Sequence, residues 1–174
     1  MAFLTRYDVD TRTPRARDAL RDVAVRAVAP AVVLWLVVVA FGWMLVDGPL
    51  RSLGRAEEQV NDAVAADRTP TWTTLSEYFS LIGSTPVIIG VCLAVCLAFW
   101  AVTRRWWLAL VPLLAITLQS IVFVTSAYVV GRDRPTVKML DDSPPTTSYP
   151  SGHESATTAL YLSFMLLALR IRQP

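Results

Sequence analysis

The chain has 174 residues, of which 54% are hydrophobic and only 17% charged, above the roughly 45–50% apolar content of soluble domains. A net charge of +2 is too small to attract a nucleic acid. Two cysteines and one histidine support neither a disulfide framework nor a metal site, and no cofactor motif is present.

Charge is strongly segregated. Ala27 to Val46, Tyr78 to Thr103, Trp106 to Val130 and Ser155 to Leu169 contain no Asp, Glu, Lys or Arg. The first three are long enough to cross a hydrocarbon core of about 30 Å at about 1.5 Å per residue. The fourth is short, and spans if its helix starts near Ser151. The pattern predicts an all-α, polytopic membrane helical bundle with four spans at about 27–46, 79–103, 106–130 and 152–169. A soluble bundle would show a polar stripe on each helix, and "AVVLWLVVVAFGWMLV" has none.

Residues 1–26 form a polar tail, helical from about Pro14 onward, and residues 27–174 form the membrane domain. The first span ends at "DGP", a strong breaker. In "RAEEQVNDAVAAD", Ala56, Val60, Ala63 and Val64 recur at helical spacing with charges elsewhere. Two readings fit: an amphipathic helix on the membrane surface, or a solvated helix packed on neighbouring loops. "RTPTW" then leads into the second span. Within it Cys92 and Cys96 share a helix face and read as small apolar residues. "TRRWW" turns the chain tightly into the third span, and its tryptophans suit a membrane interface.

Basic residues near the spans set orientation. With the N-terminus inside, ten of the sixteen Arg and Lys are cytoplasmic, and ten of the fourteen acidic residues are outside. Both termini are therefore expected in the cytoplasm and the loop from Gly131 to Pro150 outside. The expected location is a plasma membrane, taken to be bacterial. Its oligomeric state is not legible.

That loop carries the chemistry. It begins "GRDRP" and ends "SYPSGHES". Ser151 and Glu154 have the spacing of a capping box, and Gly152 permits close backbone approach to a ligand. Free N–H groups at a helix start favour an anion. Arg132 and Arg134 carry guanidinium forks suited to phosphate oxygens. His153, the only histidine, is of a type that transfers protons near neutral pH. An anion pocket at the membrane surface follows from these residues alone.

"GRDRP" followed by "PSGH" resembles the first two motifs of the type 2 phosphatidic acid phosphatase superfamily, over roughly the first span to the end of the chain. The resemblance implies a six-span lipid phosphatase fold of which this chain covers the N-terminal two-thirds. It implies metal-independent hydrolysis of a lipid phosphate or diphosphate, such as undecaprenyl diphosphate or phosphatidic acid, through a phosphohistidine intermediate. Arg134 would bind phosphate, as would Ser151 and Gly152, and His153 would protonate the leaving group as general acid. Vanadium haloperoxidases share that site.

Two departures stand out. The family's first motif, K-x6-R-P, requires lysine at position 127, where this chain has Ala127. Arg132 and Lys138 are the candidates to replace that charge. The third motif, S-R-x5-H-x3-D, which supplies the nucleophilic histidine, is missing. Asp141 and Asp142 sit in no aspartyl-phosphate motif, so no nucleophile is expected in this chain. The isolated chain is therefore expected to bind lipid phosphate without turnover. The alternative is a non-catalytic membrane protein that binds lipid phosphates or a partner through the same pocket.

Overall fold

A computed structural model of the chain describes residues 15–137 and 148–171. Every regular element among them is helical. The first helix, α1 (Ala16–Val46), is 31 residues long and begins at Ala16, well before the predicted span. Its first turns are polar and include an Asp22–Arg26 pair at 3.8 Å. Pro30 has no N–H for the Arg26 carbonyl. The chain passes through a π-helical turn at Ala24–Val28 just before this proline, the kind of local widening that absorbs a break in the hydrogen-bond ladder. At the other end the Gly48 N–H bonds back to the Trp43 carbonyl at 3.0 Å, and Pro49 stops continuation.

Two helices follow before the next apolar run, α2 (Arg51–Ala66) and α3 (Pro70–Ile82). Thr69 caps α3, its Oγ1 accepting the Trp72 N–H at 3.3 Å. The structure then corrects the predicted second span. The chain turns at Gly83–Ser84, and the membrane-length helix α4 runs only from Thr85 to Thr103. Phe79 to Ile82 belong to α3 instead. "IGSTP" holds the reason: Ser84 is extended at the cap position and Pro86 sits in the first turn, where its missing N–H costs nothing.

Arg104 makes the sharp turn after α4 in the left-handed region, at φ 55°. Thr103 Oγ1 stabilises that turn by accepting the Arg105 N–H at 3.2 Å and donating to the Phe99 carbonyl at 2.6 Å. The third apolar helix, α5 (Trp106–Val130), matches its predicted span, with a step at Leu110 just before Pro112. Gly131 ends it at φ +60°, donating its N–H to the Ala127 carbonyl at 3.0 Å. The last helix is α6 (Gly152–Ile171).

Helix α5 is the centre of the bundle: α1, α4 and α6 all pack against it, and α4 also packs on α6. Between α4 and α6 lies one small core of Ile88, Cys92 and Leu160, with Cys96 and Ile116 packed around it. A second core joins Phe99, Ala109 and Leu167, and the Phe99 and Phe164 rings meet edge to face at 5.8 Å. Both cysteines are free and serve as packing groups.

Most large apolar side chains point away from these cores. Leu34, Leu36, Val37, Leu93, Leu97, Ile121 and Val124 are all exposed, a surface that only lipid would cover at low cost. Three helices, α1, α4 and α5, are long and apolar enough to cross a membrane. This chain is a helical membrane protein. Helix α6 matches them in length, but His153, Glu154 and Ser155 in its first turns leave it less apolar.

Candidate functional site

Helices α1 and α5 end, and α4 and α6 begin, on one face of the bundle, here termed the site face. The α5–α6 connection is closed at its base by Ser148. Its N–H donates to the Arg132 carbonyl at 3.0 Å, and its Oγ donates to the Asp133 carbonyl at 2.6 Å. These two bonds bring "GRDRP" and "SYPSGH" side by side, although the segment between them is long. Lys138, Asp141 and Asp142 lie outside the described residues.

From Ser148 the chain descends into the bundle. The Tyr149 hydroxyl donates to the Val38 carbonyl at 2.9 Å, eight residues before the end of α1. A methyl group at Gly152 would stand 2.9 Å from the Phe123 ring, and Phe123 lies seven residues before the end of α5. Both markers put the start of α6 about 10 Å below the outer ends of α1 and α5. The helix start sits in a recess, deeper than the interfacial position expected from sequence. A similar methyl at Gly42 would lie 2.7 Å from the Tyr149 ring, so glycine on α1 makes room for the descending tyrosine.

Ser151 caps α6 as predicted, its Oγ accepting the Glu154 N–H at 3.4 Å. A second set of bonds, not foreseen from the sequence, ties this cap to α5. The Gln119 amide donates to Ser155 Oγ at 2.7 Å, and Ser155 donates to the Ser151 carbonyl at 2.6 Å. A signal was available: Gln119 is the one side-chain amide in the third apolar run, and polar groups at membrane depth mark interhelical bonds.

A groove of about 620 Å³ opens between α1, α5 and α6. Leu34, Val38, Val122 and Phe123 make it apolar, while Gln119, Ser151, Glu154 and Ser155 form a polar end. Against family models, curated proteins and solved structures, the chain has no match.

The helix start therefore presents two different sides. Ser151 lines the groove. His153 faces the α3–α4 turn, where a methyl at Gly83 would lie 3.2 Å from its Cδ2 and 3.2 Å from Thr157 Oγ1. His153 is half-buried there. Gly152, between them, fits beneath Phe123, where a side chain would collide.

The arginines divide as well. Arg132 Nη1 pairs with Glu57 Oε2 of α2 at 3.1 Å. The Arg132 side chain is only 15% exposed, against 55% for Glu57, so the guanidinium is enclosed while its partner faces outward. Arg134 is half-buried and has an interaction partner of its own. The backbone thus lays the loop segment carrying two arginines beside the residues that lead into a capped helix start, with the imidazole on the side of that start turned to Gly83. No group of three or more His, Cys, Asp or Glu capable of holding a metal occurs among the described residues.

Proposed function

We propose that the site face binds the phosphate of a lipid phosphate or diphosphate, and that the chain supplies the phosphate-binding and proton-donating part of a metal-independent lipid phosphatase of the type 2 phosphatidic acid phosphatase kind. The observation that carries this reading is the pair of Ser148 bonds to the Arg132 and Asp133 carbonyls. It holds the residues that lead into the Pro-Ser-Gly-His motif against the start of the Arg-Pro motif, which supports a shared site. In this reading Arg134 neutralises phosphate oxygens, Arg132 joins it by exchanging Glu57 for phosphate, and Ser151 and the first N–H groups of α6 donate hydrogen bonds to the remaining oxygens. His153 would give its proton to the leaving oxygen when a nucleophile supplied from outside these residues attacks phosphorus and the P–O bond breaks. Undecaprenyl diphosphate and phosphatidic acid both suit a recess at the membrane surface.

The bundle is read as four spans with both termini cytoplasmic and the site face outside, as the arginine distribution favours. The attacking nucleophile of a phosphohistidine mechanism is a second histidine, and this sequence has one. That count favours a second reading, phosphate binding without turnover by these 174 residues alone.

Titration of the purified chain in lipid nanodiscs with inorganic phosphate and with vanadate tests the proposal. Arg134→Ala removes a charge-assisted contact of about 1.5–3 kcal/mol, so binding should weaken about tenfold or more. His153→Ala should weaken it less, because its role is proton transfer. Equal and negligible effects of both substitutions would reject the pocket. In parallel, hydrolysis of phosphatidic acid should be absent, and robust His153-dependent turnover would show that a nucleophile has been overlooked.

A further inference from the structure

Helices α2 and α3 connect the end of α1 to the start of α4, so the pair is tethered to the site face at both of its outer ends. Each is amphipathic, and among the described residues neither has its apolar face covered by protein. On α2, Leu53, Val60 and Val64 fall within an arc of about 40° at 100° per residue, Glu57 borders that arc on the side turned to Arg132, and Arg55, Glu58 and Asp62 lie opposite. On α3, Trp72, Leu75 and Phe79 share one side, with Thr73, Glu77 and Ser80 across from them. The exposures are 56%, 60% and 63% for Leu53, Val60 and Val64, and 68% and 72% for Trp72 and Phe79. Among the described residues α2 meets the α5–α6 loop through the Glu57–Arg132 pair, while these apolar side chains stay open.

We propose that α2 and α3 form a lipid-seated frame, their apolar faces resting at the boundary between headgroups and acyl chains on the site face of the bilayer. Continuity argues for lipid as the occupant. Helix α2 follows α1 after a short turn and α3 leads into α4 through Gly83–Ser84, so both are anchored next to helices whose exposed apolar side chains lipid must cover. Tryptophan and tyrosine are favoured at that depth, and α3 carries both in Trp72 and Tyr78. Charge contributes little: α2 holds Arg51 and Arg55 against Glu57, Glu58 and Asp62, a net of −1, so the seat does not depend on anionic lipid. The frame also touches the candidate site twice. Glu57 of α2 pairs with Arg132, and Gly83 at the end of α3 backs His153. Lipid contact would thereby hold both residues in place. The proposal needs only that the apolar helices cross a bilayer, and it stands apart from the phosphatase reading.

Spin labels on single introduced cysteines in the full chain, in phosphatidylcholine bilayers, test it. The native Cys92 and Cys96 are packed within the bundle, so labelling selects the new sites. Val60→Cys, Val64→Cys and Phe79→Cys replace exposed residues and remove no protein packing, so folding is not at risk. Labels there should be severalfold more accessible to oxygen, relative to a water-soluble nickel chelate, than labels at Glu58→Cys, Asp62→Cys and Glu77→Cys. Equal preference for the aqueous reagent at all six positions would overturn the proposal in favour of solvated helices. Spin–spin broadening at Val60 and Phe79, lost on dilution with unlabelled chain, would overturn it in favour of a second copy. Phosphate titration of the same samples reads the phosphate pocket separately, so either idea can fail alone.

Discussion

Gln119 on α5 donates its side-chain amide to Ser155 Oγ on α6 at 2.7 Å, and Ser155 passes the contact on to the Ser151 carbonyl. A helix start recessed in an apolar bundle is thereby fastened to its neighbour through half-buried polar side chains. Interhelical bonds of this kind contribute about 0.6 kcal/mol on average and up to about 1.7. Gln119→Leu and Ser155→Ala should each lower stability by about that much. Their double variant should lose little more than either one, as measured by unfolding in mixed micelles. Strictly additive losses would mean the two side chains act independently.

Gly152→Ala should be destabilising by about 1–3 kcal/mol, the usual range for overpacking. Its new methyl would meet the Phe123 ring at 2.9 Å. Trimming the ring in Gly152→Ala/Phe123→Leu should recover part of the loss. The thermal midpoint of the detergent-solubilised chain reports both steps, and a lack of recovery would place the strain in the backbone instead.

Burial pushes the Tyr149 phenol above its ordinary value of 10.0. The neutral form is therefore favoured in the folded chain, and it is the form that donates to Val38. The sign follows from proton counting: between the unfolded and the folded pKa the folded state holds the extra proton. The contribution is present in full below about pH 10 and is lost as pH rises through the folded value. Tyr149→Phe should lose the hydrogen bond, about 0.5–1.5 kcal/mol, and should also flatten the alkaline fall in stability. An unchanged alkaline limb in Tyr149→Phe would assign that fall to other groups.

Orientation is open to a direct chemical measurement. With the site face outside, Ser143→Cys should react with an impermeant thiol reagent added to intact cells, and Thr11→Cys should react only after permeabilisation. The reverse pattern would put the recess in the cytoplasm and restrict its substrates to the inner leaflet.

Much of this protein is legible in its residue order, because membrane insertion is a one-dimensional problem. Each apolar run must be long enough for the hydrocarbon thickness and carry its own backbone hydrogen bonds. The bounds of α5, the apolar body of α1 and the cap at Ser151 follow from that rule and from local capping chemistry. Even the break between α3 and α4 was written in "IGSTP", although the uncharged run masked it, since an apolar tally does not register a turn. Which residues meet across the bundle was decided elsewhere. The Ser148 bonds to the Arg132 and Asp133 carbonyls, the depth of Gly152 beneath Phe123, the Gln119–Ser155 tie and the Glu57–Arg132 pair join residues 15 to 75 positions apart, or lean on such packing. Their formation depends on how α1, α4 and α6 close around α5. Lipid is as apolar as leucine and offers no solvent preference for one helix face over another. Pattern alone therefore could not say that Ser151 would face a groove while His153 turned toward Gly83. Small residues that permit close approach, and the few polar groups that must find partners at depth, made that choice.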